Sequence, residues 1–367
     1  MTVGAGLAGE AADAVAALEG CGMAALVSHP RLLRLHRSHL EGLEGPLAGK
    51  GIALHRVTFP AGERHKNLAT VNRVYRRFLE LGLGRHDVVL AWGGGVVGDL
   101  AGYAAATWLR GVRCLQVPTT LMAMVDSAVG GKTGVDLPQG KNLVGAFHQP
   151  RAVFCDVELL RTLPRREYLS GLAEAAKYAL VFDGGFYRRL LDAAPSLLGR
   201  KEPELASTVA ACVSYKARMV EEDELDLTGR RALLNYGHTF AHALEAATSY
   251  RSLLHGEAVA LGMRMAARLS EMMGLAPPGL LQEHEELLDA LGQGGTITGE
   301  LRVEDVLRGM AYDKKRRGGR LNFVLLKGIG DPVVVEAEPD LKVETAVREV
   351  LGRGLAQGPK AGGARGS

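Results

Sequence analysis

The sequence contains few cysteines and aromatic residues, and it has no long apolar run. Its 367 residues include only four cysteines, and no two of them form a C-x-x-C pair. This excludes a disulfide framework and a thiolate metal site, so we expect buried free thiols. No apolar segment approaches the roughly 20 residues that a membrane-spanning helix needs, and membrane insertion is therefore not expected.

Targeting signals and strong charge are also lacking. The N-terminus does not combine a basic start, an apolar middle and a small-residue cleavage site, which predicts a cytoplasmic protein. The formal net charge of +3 is too small for a nucleic-acid binder, yet it is compatible with an anionic substrate. The length of 367 residues favours two domains over one.

The first part of the chain alternates short apolar runs with helical patterns, as in a parallel sheet. The runs are 24–27, 52–59 and 88–92. After about residue 162 helical segments dominate, except for an alternating run at 321–326 that predicts a late strand or hairpin. We predict an α/β Rossmann-like domain over 1–161, a mainly α-helical domain over 162–351, and a disordered glycine-rich tail over 352–367.

A glycine-rich segment follows the third apolar run. Residues 93–99, GGGVVGD, satisfy G-x-G-x-x-G between a predicted strand and helix. Such glycines let backbone N–H groups approach a pyrophosphate, although a ligand-free turn is an equally good interpretation of the motif alone. The acidic residue expected about 20 positions later is missing, and Val117–Thr120 stands there instead. The pattern indicates a Rossmann-like variant.

A second glycine-rich segment, DSAVGGKTGV at 126–135, is similar to a phosphate-binding P-loop only superficially. The first glycine of that motif would fall on Asp126. Lys132, Lys141 and Asn142 still place two cations and an amide in what is predicted to be a functional loop. Solvated surface lysines are the alternative interpretation.

Charged residues also occur in an apolar helical pattern, GLAEAAKYAL. Glu174 and Lys177 are three positions apart there, so they share a helix face. They predict either a lined cavity or a structural ion pair.

Histidines are concentrated between residues 231 and 257. Asn235, His238 and His242 are expected on one helical face, and His255 follows. This arrangement is typical of a catalytic metal site with two histidines, a carboxylate and an open position. Spacing alone favours His238 and His242 as the ligands. The basic cluster at 313–317 is expected to be a solvated turn.

Taken together, these segments resemble the 3-dehydroquinate synthase family of sugar-phosphate cyclases. The similarity covers roughly residues 60–330 and includes GGGVVGDLAGYAAATWLRGV, LNYGHTFAHALE and LHGEAVALGM. It implies NAD, a zinc or cobalt ion, and a homodimer. The implied reaction converts 3-deoxy-D-arabino-heptulosonate 7-phosphate into 3-dehydroquinate and phosphate, by transient oxidation with NAD, phosphate elimination, reduction and intramolecular aldol closure.

The resemblance also implies individual roles. It assigns the metal to Glu174, His238 and His255, which replaces the pair favoured by spacing. The implied cofactor-binding residues are Gly62, Glu63, Lys66, Gly95, Val96, Val97, Gly98, Asp99, Thr119, Thr120, Lys132, Lys141, Leu159 and Thr162. The implied catalytic or substrate-binding residues are Arg110, Asp126, Lys132, Asn142, Lys177, Lys216, Arg231, Asn235, His242, Lys314 and Lys315, with Arg110 serving the neighbouring subunit.

Other functions stay open at this point. Sister cyclases that make valiolone-type or aminated quinate products share the same metal and NAD residues. Ser28–Pro30 replaces an acidic residue usual near the cofactor ribose, and Asp226 stands where glutamate is common. A metal-dependent polyol dehydrogenase would instead release NADH, but the phosphate-binding cations count against it. A noncatalytic binding protein is the weakest alternative, because all three implied metal ligands are present.

Overall fold

The computed structural model of the chain describes residues 1–248, 252–294, 301–316, 321–338 and 340–356. Two units are distinguished by their internal contacts. The first comprises Met1–Gly171 with Arg200–Leu227, and the second Leu172–Gly199 with Thr228–Ser367. The domain bounds taken from the sequence pattern remain a prediction.

The strands and helices follow the alternation expected from the sequence. The strands are β1 Thr2–Gly4, β2 Met23–Ser28, β3 Ala53–Thr58, β4 Val88–Gly93, β5 Arg113–Pro118, β6 Lys132–Leu137, β7 Gly140–Phe147, β8 Ala152–Asp156, β9 Leu321–Gly328 and β10 Asp331–Ala337. The helices are α1 Ala8–Ala16, α2 Pro30–Leu35, α3 Arg37–Gly49, α4 Leu68–Leu81, α5 Gly95–Thr107, α6 Arg165–Phe182, α7 Gly184–Leu198, α8 Glu204–Glu222, α9 His238–Ala247, α10 His255–Met272, α11 Leu280–Ala290, α12 Val303–Arg316 and α13 Leu341–Ala356.

The first unit is built on a six-stranded sheet in the order β1-β8-β5-β4-β2-β3, with parallel pairing throughout. Both of its faces are covered, which explains why its central strands are apolar runs without alternation. In β2, Ala25 and Val27 pack with Phe78 of α4, whereas Ala24 and Leu26 pack into the opposite layer with α3. The predicted parallel α/β architecture is confirmed.

The glycine-rich segment forms the turn between β4 and α5. Gly94 precedes the helix, and a Cβ there would lie 2.9 Å from Cγ2 of Thr120. A Cβ on Gly98 would lie 2.7 Å from Oε1 of Gln116, so this glycine lets α5 approach β5. The predicted strand–turn–helix is confirmed, and its glycines permit close packing at the carboxyl end of the sheet.

The region containing Lys132 and Lys141 is an antiparallel hairpin of β6 and β7, so the prediction of a loop was wrong. The glycines that suggested a loop instead allow the two strands to approach. A Cβ on Gly145 would lie 2.2 Å from the carbonyl oxygen of Thr133. Asn142 belongs to the same hairpin and has a φ of 53°.

The second unit is mainly helical, as predicted. The alternating run at 321–326 lies in β9, which pairs with β10 in a two-stranded antiparallel sheet. Helix α13 extends to Ala356, past the predicted start of the tail at residue 352. The helix is amphipathic and buries Val343 and Val347, while the rest of the predicted tail, 357–367, lies outside the described residues.

All four cysteines are free thiols, as predicted. Three of them are buried and Cys21 is half-buried. Within the described ranges, no helix is both long enough and apolar enough to span a bilayer.

Candidate active site

Three side chains of the second unit converge in a cluster suited to a metal ion. Glu174 lies on α6, His238 begins α9 and His255 begins α10, and their ligand atoms all lie within 4.8 Å of one another. Oε1 of Glu174 is 3.6 Å from Nε2 of His238 and 3.4 Å from Nε2 of His255. A buried carboxylate facing two imidazole nitrogens fits Zn²⁺ or Co²⁺ and leaves one position open for substrate.

Two glycines set the spacing between the helices that carry the histidines. Gly237, directly before His238, has a φ of 77°, which favours glycine. A Cβ on Gly262 would lie 2.1 Å from the carbonyl oxygen of Gly237. The start of α9 therefore rests directly on the backbone of α10, and this contact brings His238 near His255.

We expect Gly262→Ala to destabilise the protein by about 1–3 kcal/mol, the usual cost of forcing extra volume into a packed site. The free energy of unfolding from a denaturant titration checks this. Gly352→Ala is the matched control: its Cβ would meet nothing within 4 Å, and alanine is the better helix former. Equal stability of the two variants would contradict the packing argument.

Lys177 pairs with the acidic member of the cluster. Its Nζ lies 2.5 Å from Oε2 of Glu174, with side-chain exposures of 2% and 0%. Burial by itself raises the pKa of Glu174, but the ammonium of Lys177 and the neighbouring imidazoles outweigh burial and hold that pKa well below its ordinary value. Glu174 is therefore a carboxylate, the form that binds a metal ion. Glu174 and Lys177 therefore form an i,i+3 ion pair, and this pair lies beside the two histidines.

The two histidines have different electrostatic surroundings. Burial, with the charge of Lys177 adding to it, lowers the pKa of His238 to about 3. For His255, burial is outweighed by hydrogen bonds to Glu174 and Glu245, which raise its pKa to about 10. His238 is thus neutral at physiological pH, and metal binding displaces the proton of an imidazole such as His255.

Each of these histidines has an oxygen acceptor on its far side. Nδ1 of His238 lies 3.1 Å from the carbonyl oxygen of Tyr236, and Nδ1 of His255 lies 3.1 Å from Oε1 of Glu245. Because each Nδ1 faces an oxygen acceptor, Nε2 is the nitrogen of each ring that faces Glu174 and would bind a metal ion. The hydroxyl of Tyr236 is itself 2.7 Å from Nε2 of the buried His284.

His242 and Asn235 are not placed as spacing suggested. The ring centroid of His242 lies 5.7 Å from that of His238, but His242 is not among the three residues whose ligand atoms converge. Asn235 ends a 3₁₀ segment that begins at Arg230, and Gly237 separates it from α9. The expectation of one helical face was therefore wrong for Asn235, because the left-handed glycine resets the direction of the chain.

The first unit brings three of the expected cofactor or substrate residues together. Nζ of Lys66 lies 2.6 Å from Oδ2 of Asp99 and 2.6 Å from Oδ1 of Asn142. Lys66 is only 4% exposed. Burial lowers its pKa, but Asp99 outweighs burial and raises it, so Lys66 is a charged group held at the start of α5.

Other expected cations in this unit are also paired with carboxylates. Nζ of Lys216 lies 2.5 Å from Oδ1 of Asp126, and Nζ of Lys132 lies 2.5 Å from Oδ2 of Asp226. The ion pair of Lys141 with Glu63 is longer, at 3.2 Å. Asp226, which stands where glutamate is common, is therefore the ion-pair partner of Lys132.

The remaining expected residues occupy varied environments. Thr119 and Arg231 are buried, whereas Thr120 is half-buried. Leu159 is fully buried in the sheet core, and Thr162 contacts its carbonyl oxygen. Gly62 and Glu63 lie at a short 3₁₀ turn.

Arg110 is exposed, with a φ of 66°, and it lines a cavity of about 450 Å³. Arg85, Arg113 and Arg151 line the same cavity.

Lys314 and Lys315 belong to α12, so the prediction of a turn for residues 313–316 was wrong; the helical pattern continues through them. Their side chains and residue 317 lie outside the described part of the chain.

Glu245, Tyr236 and His284 were missed by the sequence analysis. Glu245 is seven positions after His238 on the same helix, so the two share a face. That spacing could have identified Glu245 beside a suspected metal-binding histidine. His284 had no comparable signal, because its contact with Tyr236 joins distant parts of the chain.

Comparison with known proteins gives consistent matches over nearly the whole chain. The family model described as 3-dehydroquinate synthase N-terminal matches residues 56–170, and the model described as 3-dehydroquinate synthase C-terminal matches residues 171–316. A 3-dehydroquinate synthase from Pelobacter propionicus is 45% identical over 316 residues, which cover 86% of each chain.

Solved structures of related enzymes have the same fold. A 2-deoxy-scyllo-inosose synthase, solved with carbaglucose-6-phosphate, NAD⁺ and Co²⁺, has a TM-score of 0.84 at 27% identity, covering 95% of this chain and 96% of that one. A 2-epi-5-epi-valiolone synthase from Streptomyces hygroscopicus, with NAD⁺ and Zn²⁺ bound, has a TM-score of 0.82 at 29% identity, covering 91% and 92%.

Proposed function

The chain belongs to the 3-dehydroquinate synthase family, and from that premise we propose that Glu174, His238 and His255 hold the divalent metal of an NAD-dependent lyase. The enzyme converts 3-deoxy-D-arabino-heptulosonate 7-phosphate into 3-dehydroquinate and phosphate. The observation that carries the metal assignment is the convergence of these three ligand atoms within 4.8 Å, around a fully buried carboxylate.

When bound, NAD supplies reversible hydride transfer and the metal supplies Lewis-acid polarisation of the reacting oxygen. The protein contributes binding and orientation. Glu174 stays ionised because Lys177 neutralises part of its charge inside the second unit. The ammonium of Lys177 also offers N–H donors at the same place, so we propose that it stabilises negative charge on a substrate oxygen there.

We propose that NAD lies over the turn between β4 and α5 in the first unit. Gly94 and Gly95 place no side chain at the start of α5, and a helix N-terminus favours a pyrophosphate. Lys66, fixed by Asp99 and Asn142, supplies a buried positive charge near the same turn.

For the anionic sugar phosphate, we propose contacts from the cations and amides that match the family motifs. Lys132 and Lys216 are held in place by ion pairs, so less side-chain entropy is lost when they bind a phosphate oxygen. Arg231, Asn235 and His242 complete the proposed set in the second unit, with one of Lys314 and Lys315.

The choice of substrate is tested by product analysis. Purified enzyme with NAD and Zn²⁺ is incubated separately with the heptulosonate 7-phosphate, with sedoheptulose 7-phosphate, which lacks the carboxylate, and with glucose 6-phosphate. We expect NMR to detect 3-dehydroquinate from the first and no cyclised product from the others. Cyclisation of sedoheptulose 7-phosphate or of glucose 6-phosphate, with no 3-dehydroquinate from the heptulosonate 7-phosphate, would contradict the assignment.

Cyclisation of one of these alternative sugar phosphates instead would identify a sister cyclase, which is the second candidate function. The close structural similarity to 2-deoxy-scyllo-inosose synthase, at a TM-score of 0.84, is the observation in its favour. Sequence identity favours dehydroquinate synthesis, because relatives with that activity reach 45–49% identity.

We also propose a cytoplasmic homodimer. A cytoplasmic location is consistent with four free cysteines, since that compartment keeps thiols reduced. In the proposed dimer Arg110, which is exposed among other arginines, serves the substrate phosphate of the neighbouring subunit.

A further inference from the structure

We infer that Glu245 is a positioning residue that fixes the imidazole of His255 for metal binding. This inference rests on the metal centre proposed above. Glu245 lies on α9 and His255 begins α10, and the 3.1 Å contact between Oε1 and Nδ1 joins the two helices. Because Nδ1 donates to the carboxylate of Glu245, Nε2 is the nitrogen that faces Glu174, 3.4 Å away, and it is the one that would bind the metal ion.

The burial of Glu245 supports a specific role. It is only 9% exposed, and a carboxylate is rarely withdrawn from water unless it is paired. His255 is more accessible, with 35% of its side chain exposed. An imidazole at that exposure is free to rotate unless a second contact holds it, and Glu245 supplies that contact.

The other histidine of the cluster provides a contrast. His238 is oriented by the neutral carbonyl oxygen of Tyr236, whereas His255 is oriented by a carboxylate. A charged acceptor makes the imidazole a stronger donor to a metal ion. Glu245 therefore controls both the direction and the basicity of His255.

The test is metal affinity of the apoprotein, measured by competition with a chromophoric chelator for Zn²⁺ and Co²⁺. We expect Glu245→Ala to weaken affinity by about 10–100-fold, the range for loss of an outer hydrogen-bond partner. Glu245→Gln keeps an oxygen acceptor and should lose clearly less. Glu283→Gln, an exposed glutamate on α11, is the matched control and should bind like the wild type.

The Co²⁺ absorption spectrum gives a second readout, which a purely structural role would not change. We expect Glu245→Ala to shift the visible bands and Glu245→Gln to restore most of the wild-type spectrum. If Glu245→Ala does not fold, Glu245→Asp replaces it, because the shorter side chain withdraws the oxygen from Nδ1.

Wild-type affinity and spectrum in Glu245→Ala, or equal losses in the alanine and glutamine variants, would overturn the positioning role. Failure of the proposed metal centre is recognised separately. In that case the wild-type apoprotein binds no Co²⁺, or binds it as well as a variant that lacks His255.

Discussion

His255→Ala is expected to lose bound metal and turnover together. The variant retains Glu174 and His238, but two ligand atoms do not hold a divalent ion as three do. The loss of affinity should exceed the roughly 10–100-fold typical of an outer partner, since a direct ligand is removed. Metal content after gel filtration and phosphate release from the substrate are measured on the same sample.

His242→Ala is the control for that experiment. The ring of His242 lies 5.7 Å from that of His238, so the substitution changes the same neighbourhood without removing a converging ligand. We expect it to retain metal. The opposite result, with metal lost in His242→Ala and kept in His255→Ala, would restore the pair favoured by sequence spacing.

Lys177→Met is expected to lose turnover while keeping metal. Methionine has a similar length and no charge, so the variant lacks the proposed N–H donor, a loss that typically costs about 10²–10³ in kcat. The bound metal still compensates the carboxylate of Glu174. Without metal that buried carboxylate has lost its ammonium partner and keeps only the two imidazoles beside it. Removing one partner of a buried ion pair costs up to about 3–5 kcal/mol, so the apoprotein should also unfold more easily than the wild-type apoprotein.

The measurements are steady-state kinetics, metal content and the denaturant midpoint with and without Zn²⁺. Lys342→Met, an exposed lysine on α13, serves as the matched control and should resemble the wild type throughout. Normal turnover in Lys177→Met would show that the ion pair between Lys177 and Glu174 has only a structural role. Loss of metal would show that Lys177 acts on the ligands themselves.

Local periodicity predicted the fold well because it depends on neighbouring residues. The apolar runs in β2 and β4 are buried on both faces of a parallel sheet, and an unbroken apolar run is the pattern that this environment requires. The hairpin of β6 and β7 was missed, because the glycine-rich segment 126–135 indicates a loop when it is considered alone. Gly134 and Gly145 let the backbones of the two strands approach each other, and this role is visible only when the strands are paired.

Residue spacing could not predict the metal cluster either, because its members come from distant parts of the chain. Glu174 is on α6, far along the chain from both histidines, and the convergence depends on how three helices pack. Spacing favoured His242 because it is one helical turn from His238, yet the ring that meets Glu174 belongs to His255 at the start of another helix. The family resemblance supplied the convergent set, and the packing at Gly237 and Gly262 explains it.

The most direct test of the central claim is phosphate release from the heptulosonate 7-phosphate by enzyme loaded with NAD and Zn²⁺, with absorbance at the nicotinamide band followed in parallel. A cyclase that restores its own NAD should release one phosphate for each substrate molecule consumed, with no net NADH. A chelator should stop this release. Steady accumulation of NADH, or release that survives complete removal of metal, would contradict the account.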